Sequence, residues 1–198
     1  MTVDRPSHAR SYPVHVTLRR ARLLPGFRRQ SIARRFEACI LAVKKSSLAS
    51  RFRVLHYSFQ DDHVHLVVEA RDRAALSQGM QGLAIRFARG FNRVARRTGK
   101  VWGDRYHARE LTSPREVRRG IVYVLMNHKK HATARGALDA DSSALWFDGF
   151  DDATMRALEQ LRARDAPVSS PHTWIAAVGW RRRGLIRATE SPADMRSA

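Results

Sequence analysis

Two apolar runs, FRVLHYSFQ at residues 52–60 and HVHLVVEA at 63–70, are separated only by Asp61 and Asp62. Runs rich in Val, Leu, Phe and Tyr with so short a connection read as two strands of a tight antiparallel hairpin. That hairpin constrains the rest of the fold, because a two-stranded ribbon needs further strands or helices to cover its apolar face. His63 and His65 open the second strand, and since side chains alternate faces, both imidazoles point one way while Val64 points into the opposite layer. Side by side they can hold one metal ion or form a polar stripe on an open sheet face; the hairpin alone does not choose.

The remaining elements arrange themselves around it. YPVHVTLRR alternates Val14, Val16 and Leu18 with His15, Thr17 and Arg19, the pattern of a half-exposed first strand. Pro25 and Gly26 break it. With Ser31 as N-cap, Ile32, Phe36, Cys39, Ile40 and Val43 recur at helical spacing to about Lys45. A second helix is predicted over about 73–97, with Leu76, Met80, Leu83, Phe87, Phe91 and Val94 inward and Arg86, Arg89, Arg93, Arg96 and Arg97 mostly outward. KVWGDRYHARELT reads as a fourth strand interrupted by Gly103, and SPREVRRGIVYVLMNHKKH opens a third helix with a Ser cap and Pro at its first position. The order predicts an α+β fold: a ferredoxin-like or RRM-like antiparallel sheet with helices packed on one face, the other face open to a polymer, plus a C-terminal tail. The domain spans 10–132, and 133–198 is a basic, partly helical extension whose Trp146, Phe147, Trp174 and Trp180 are expected to pack on the domain rather than stack on bases.

Lys and Arg number 37 against 18 acidic residues, a formal charge of +19. Such a charge repels itself without a polyanion nearby, which points to nucleic acid but not to any chemistry. The single cysteine, Cys39, falls on an apolar helical stripe, so neither a disulfide framework nor a cysteine zinc cluster can form. No apolar run has bilayer-spanning length, and the N-terminus lacks the order of a secretory signal. A soluble protein of the cytoplasm is expected, nucleoid-associated when bound to DNA.

On the third helix Val117, Ile121, Val124 and Leu125 form the buried stripe; at roughly 100° per residue, Tyr123 lies about 145° and Asn127 about 105° from its centre. Both avoid the core, and Tyr123 stands one turn before Asn127 among Glu116, Arg119 and Lys130. Tyr106 and His107 are a rival pair, but adjacent strand residues face opposite ways. His128 and His131 share a helix face apart from Tyr123 and read as structural or surface residues.

HVH at the head of a strand, followed by VWGDRYHARELTSPREVRRGIVYVLMNHKKH, resembles the single-tyrosine HUH transposases of the insertion-sequence-200 type, nearest the REP-associated tyrosine transposases. The likeness spans about residues 10–132. It implies that His63 and His65 are metal ligands, that Tyr123 is the nucleophile, and that Asn127 supplies a third ligand. The sequence departs from the pattern at Asp61-Asp62, where relatives more often carry an Asn-containing turn, and in its long tail. The resemblance also implies a bacterial-type protein acting as a homodimer on single-stranded or hairpin DNA, with the tyrosine helix able to complete its own site or its partner's.

The chemistry suits these residues. Two imidazoles and an amide oxygen leave open positions on Mg²⁺ or Mn²⁺, and nitrogen ligands favour Mn²⁺ in affinity. Attack by the phenol leaves a 5′-phosphotyrosine and a free 3′-hydroxyl, conserving bond energy without a nucleotide cofactor, and no Walker-type loop occurs. Arg86, Arg89, Lys100, Arg105, Arg109, Lys129 and Lys130 are the expected phosphate contacts. The reading is a DNA endonuclease and strand transferase; the alternatives are a relaxase or replication-type nickase, and an inactive or domesticated single-strand-binding module.

Overall fold

The computed structural model describes residues 12–130, 138–159 and 165–192. Four strands, β1 (Val14–Arg19), β2 (Phe52–Phe59), β3 (His63–Ala70) and β4 (His107–Glu110), form one sheet in the order β2-β3-β1-β4 with every neighbouring pair antiparallel. This is the expected α+β, ferredoxin-like arrangement. β4 is much shorter than the apolar run suggested, since Gly103 and Asp104 leave only Trp102 to bridge Arg20 before pairing resumes. The β2–β3 turn is tied to the end of β1 by Arg20, whose N–H donates to the Asp62 carbonyl at 2.9 Å.

Alternation sends Val14, Val16 and Leu18 of β1 and Val64, Leu66 and Val68 of β3 to one face, where all six are buried. Helices α1 (Gln30–Lys44) and α2 (Arg73–Val94) cover it, and Phe36 meets Phe87 edge-on with centroids 4.1 Å apart. The whole predicted stripe of α1 is buried, but the helix starts at Gln30 with Arg29 at the cap position, so Ser31 lies inside it. Asp72 caps α2, accepting from the Ala75 N–H at 2.7 Å. Gly79 lets this helix approach β2: a Cβ there would stand 2.2 Å from the Phe52 ring. Val94, expected inward, is 38% exposed because the helix ends there and clears the sheet.

The helices do not all share a face. Helix α3 (Pro114–Leu125) lies on the opposite side, burying Val117, Ile121, Val124 and Leu125 against Leu55 of β2 and Val67 of β3. A strongly one-sided apolar helix must find apolar ground, and β2 and β3 supply it where β1 and β4 carry His, Thr and Arg. A β-bulge between Val54 and His56 helps, since the extra residue turns Leu55 into this second cluster. Ser113 caps α3 through the Glu116 N–H at 3.2 Å with Pro114 at the first turn, as expected. The helix stops at Leu125, and Asn127–Lys130 is a separate 3-10 turn.

The C-terminal residues complete this second core. A 3-10 turn (Ser143–Trp146), α4 (Asp152–Glu159), α5 (Trp174–Ala177) and a 3-10 turn (Gly179–Arg183) bring Phe147, Phe150, Trp180 and Ile186 under α3. Trp180 and Phe147 are buried and Trp146 is half-buried, as expected of packing residues, whereas Trp174 is 53% exposed with the Arg182 guanidinium 5.1 Å from its ring centre. Glu69 of β3 accepts from the His172 and Thr173 N–H groups at 2.7 and 2.9 Å, and Arg28 grips Asp139 at 2.7 Å. No helix among the described residues is long and apolar enough to cross a membrane.

The bulge also turns His56 toward Phe147, ring centroids 5.3 Å apart, with its Nδ1 buried and without a hydrogen-bond partner among the described residues. Desolvation pushes this imidazole down to about 4, against the charge of Asp148, from an ordinary value of 6.5. Between those values the unfolded chain takes a proton that the folded chain refuses, so stability should fall as pH drops through the window. The loss is on the order of 3 kcal/mol at most. Urea unfolding across that range should show a shallower decline in His56→Leu than in wild type; equal slopes would contradict the assignment.

Candidate active site

The antiparallel register builds the site in rows. Thr17 pairs with His65 on one side and with His107 on the other, giving a row His65–Thr17–His107 across three strands. His15 stands between Val67 and Arg109 in the next row, and Arg19 faces His63. All these side chains lie on the α3 face, beside the ground that α3 covers. His15, Thr17, Arg19, His63, His65 and His107 line a cleft of about 470 Å³ whose far wall is Tyr123 and Asn127.

The two histidines of HVH are held from behind. The His63 Nδ1–H donates to Asp62 Oδ1 at 2.5 Å, which turns Nε2 toward the cleft. Burial pushes the Asp62 carboxyl up, but its hydrogen bond to His63 and the charges of His63 and Arg19 outweigh that and hold it below the usual carboxylate value. His65 is buried, and its Nδ1 lies 3.1 Å from Thr17 Oγ1 and 3.2 Å from His15 Nε2. The remaining nitrogens face each other, His63 Nε2 to His65 Nε2, at 2.8 Å. That spacing is a hydrogen bond between the two rings, and it brings both Nε2 atoms to one point of the cleft.

Among the described residues no three His, Cys, Asp or Glu side chains converge as a metal cluster. A third side-chain donor to a cation at the histidine pair would have to be of another type. Asn127, 2% exposed, lines the same cleft, and its Oδ1 is buried without a hydrogen-bond partner among the described residues. An orphaned buried carbonyl oxygen is costly unless something occupies it. Two Nε2 atoms and one amide oxygen are a donor set that a divalent cation fits.

Tyr123 is half-buried on the flank of α3, its ring edge-on to His65 at 5.0 Å and to His15 at 5.4 Å between centroids. It also borders an adjoining cleft of about 410 Å³ lined by Arg109, Leu111, Glu116, Arg119 and Gly120. Arg109 donates to Glu116 at 2.7 Å, and Glu116 accepts from the Thr112 N–H at 2.8 Å, fixing the entry to α3. The phenol thus lies where a groove bordered by Arg109 and Arg119 meets the histidine cleft.

The structure therefore brings His63, His65, Tyr123 and Asn127 together within one chain. The basic residues expected to contact phosphate are dispersed. Of these, Arg109 borders the groove; Arg86 and Arg89 are exposed on α2, across the sheet, and Lys100 and Arg105 are exposed between α2 and β4. Lys129 is engaged with the chain itself, donating to the carbonyls of Ala188 and Glu190. The Lys130 side chain and His131 lie outside the described residues. Tyr106 packs toward the α1–α2 core while its neighbour His107 enters the cleft. His15, Thr17, Arg19 and His107 were missed as site residues: alternation put the first three on one face, but only the strand order set that face beside the HVH pair.

A solved structure described as "Structure of the REP associates tyrosine transposase bound to a REP hairpin" matches this fold with a TM-score of 0.50 and 14% identity, covering 68% of this chain and 76% of that one. No curated protein matches the chain. The family model described as "Transposase IS200 like" matches residues 12–123, more than half of the chain and all four strands. The match runs from β1 to the cleft tyrosine itself, and the chain belongs to the IS200-like transposase family.

Proposed function

We propose that this transposase is a metal-dependent, single-stranded DNA endonuclease and strand transferase working through Tyr123. The observation that carries this reading is the meeting of the Tyr123 ring with His65 at 5.0 Å, beside the facing Nε2 atoms of His63 and His65. A phenol, two imidazoles and an orphan amide oxygen in one basic cleft suit phosphodiester transesterification. In that step the Tyr123 oxygen bonds to the scissile phosphorus, its proton leaves to cleft water, and the phosphorus–3′-oxygen bond breaks. The departing oxygen takes up a proton as a free 3′-hydroxyl, and the 5′-phosphate stays on Tyr123. Attack by another 3′-hydroxyl reverses the sequence, rejoins the strand and frees the phenol.

His63, His65 and Asn127 would hold the divalent cation, with Mn²⁺ or Mg²⁺ as the suited ions. When bound, such an ion polarises the phosphate oxygens and offsets their charge. Asp62 and Thr17 hold the two imidazoles from behind by their Nδ1 atoms, so that both Nε2 atoms lie together at the cleft and would turn to a cation once the proton between them is released, the role that carboxylate and hydroxyl partners play behind histidine ligands. The acidic residue before HVH, a departure from the family pattern, thus has a local purpose.

The substrate is inferred to be DNA in single-stranded or hairpin form. The charge of +19 supports a polyanion partner, and the fold neighbour is described as bound to a REP hairpin. Because Tyr123 meets the histidines of its own chain, a homodimer would add a second copy of this site rather than complete the first. A protein that only binds DNA is separated from this reading by chemistry.

Tyr123→Phe should keep its affinity for single-stranded DNA within about twofold yet form no covalent adduct, and His63→Ala should lose the Mn²⁺ dependence and the cleavage together. Unchanged cleavage by Tyr123→Phe on denaturing gels would sink the assignment. Asp62→Ala should weaken Mn²⁺ binding roughly 10–100-fold by calorimetry, the usual effect of losing a partner behind a histidine ligand. Wild-type affinity in that variant would show that His63 needs no such support.

A further inference from the structure

Residues 184–190 lie beyond the family match and cross the flank of α3 as a strap. Gly184, at φ 88, turns the chain out of the preceding 3-10 turn, a conformation that favours glycine. Ile186 then anchors the strap: it is fully buried, and its N–H donates to the Gly149 carbonyl at 3.0 Å. From α3, Arg118 spends its guanidinium on the strap. Its Nε donates to the Gly184 carbonyl at 2.9 Å and its Nη2 to the Leu185 carbonyl at 3.0 Å. Its Nη1 and Nη2 also reach the two Glu190 carboxylate oxygens at 2.8 and 2.7 Å. Glu190 Oε1 accepts the Arg187 N–H as well, at 2.9 Å, which locks the carboxylate within the strap. Past the end of the helix, Lys129 donates to the carbonyls of Ala188 and Glu190.

The two grips stand on either side of Tyr123 and Asn127. Apolar burial holds α3 on the sheet, but it is non-directional and tolerates a small rotation or axial slip. A forked guanidinium on four fixed acceptors tolerates neither. We propose that Arg118 and Glu190 are positioning residues, and that the strap sets the placement of the Tyr123–Asn127 segment over the histidine pair. The inference rests on the reading of Tyr123 as nucleophile. It predicts an effect on the bond-forming rate and not on DNA binding, because a misplacement of about 1 Å at a reacting centre can cost on the order of 100-fold.

The test is single-turnover adduct formation by the full chain with Mn²⁺ and saturating single-stranded oligonucleotides from the flanks of its own gene. Glu190→Ala should lower the rate constant about tenfold or more while the amplitude and DNA affinity stay within about twofold of wild type. Glu190→Gln, which keeps one oxygen for the Arg118 Nη2 and Arg187 N–H groups but sets an amide donor against Nη1, should lose clearly less of the rate constant than Glu190→Ala. A wild-type rate constant in Glu190→Ala, or a loss confined to amplitude, would overturn the proposal, since a strap that only supports folding lowers the active fraction. If wild type itself forms no adduct, the nucleophile reading fails first. The strap is then judged by hydrogen exchange: Glu190→Ala should speed exchange of the 120–127 amides about tenfold with β1 and β3 unchanged, and unaltered α3 protection would overturn it.

Discussion

Helix α3 has to bury Val117, Ile121, Val124 and Leu125, and on its side of the sheet Leu55 and Val67 are the apolar ground that it covers. Each such side chain gains about 1.5–3 kcal/mol on full burial, against roughly 0–1 kcal/mol for an exposed ion pair. Apolar burial therefore decides where α3 sits, over β2 and β3. The β1–β4 half of the same face remains polar and open, and the helix flank that overhangs it carries Tyr123. The cleft is the boundary between an apolar and a polar half of one sheet face.

Strand register supplies the other wall. Because β1 runs antiparallel between β3 and β4, Thr17 meets both His65 and His107, and Arg19 meets His63. A slip of one residue would send the HVH imidazoles into the α1–α2 core and expose Val64 and Leu66. Burial of those apolar residues thus fixes where the imidazoles point. Asp62 and Thr17 set how they are turned, and the buried Asn127 oxygen gives the cleft a further acceptor.

Much of this was legible in the sequence. Period-two alternation in 14–19, the apolar runs 52–60 and 63–70 and the helical periodicity of α1, α2 and α3 marked the elements, and the helical angle of Tyr123 set it off the core, whereas Asn127, expected on the same helix and off the core, lies past its end in a 3-10 turn and is buried. What stayed hidden depends on long-range pairing. That α3 takes the opposite face from α1 and α2 follows from Leu55, which a β-bulge turns, and from Phe147, Phe150, Trp180 and Ile186, far away in the chain. Lys129 looked like a phosphate contact because a lysine after a polar helix turn is usually solvated, and its carbonyl partners come from residues 188 and 190. His15 and His107 needed the strand order before they could be set beside the HVH pair.

The central claim is that one chain's α3 delivers Tyr123 to the histidine cleft to form a phosphotyrosine bond. It is tested most directly by trapping the covalent product of wild-type protein, Mn²⁺ and 3′-end-labelled single-stranded DNA, digesting it, and locating the nucleotide-bearing peptide by mass spectrometry. The account predicts a 5′-phosphodeoxynucleotide on Tyr123, with the 3′ label retained. A modification on Tyr12, Tyr57 or Tyr106, or a label lost with the released strand, would contradict it.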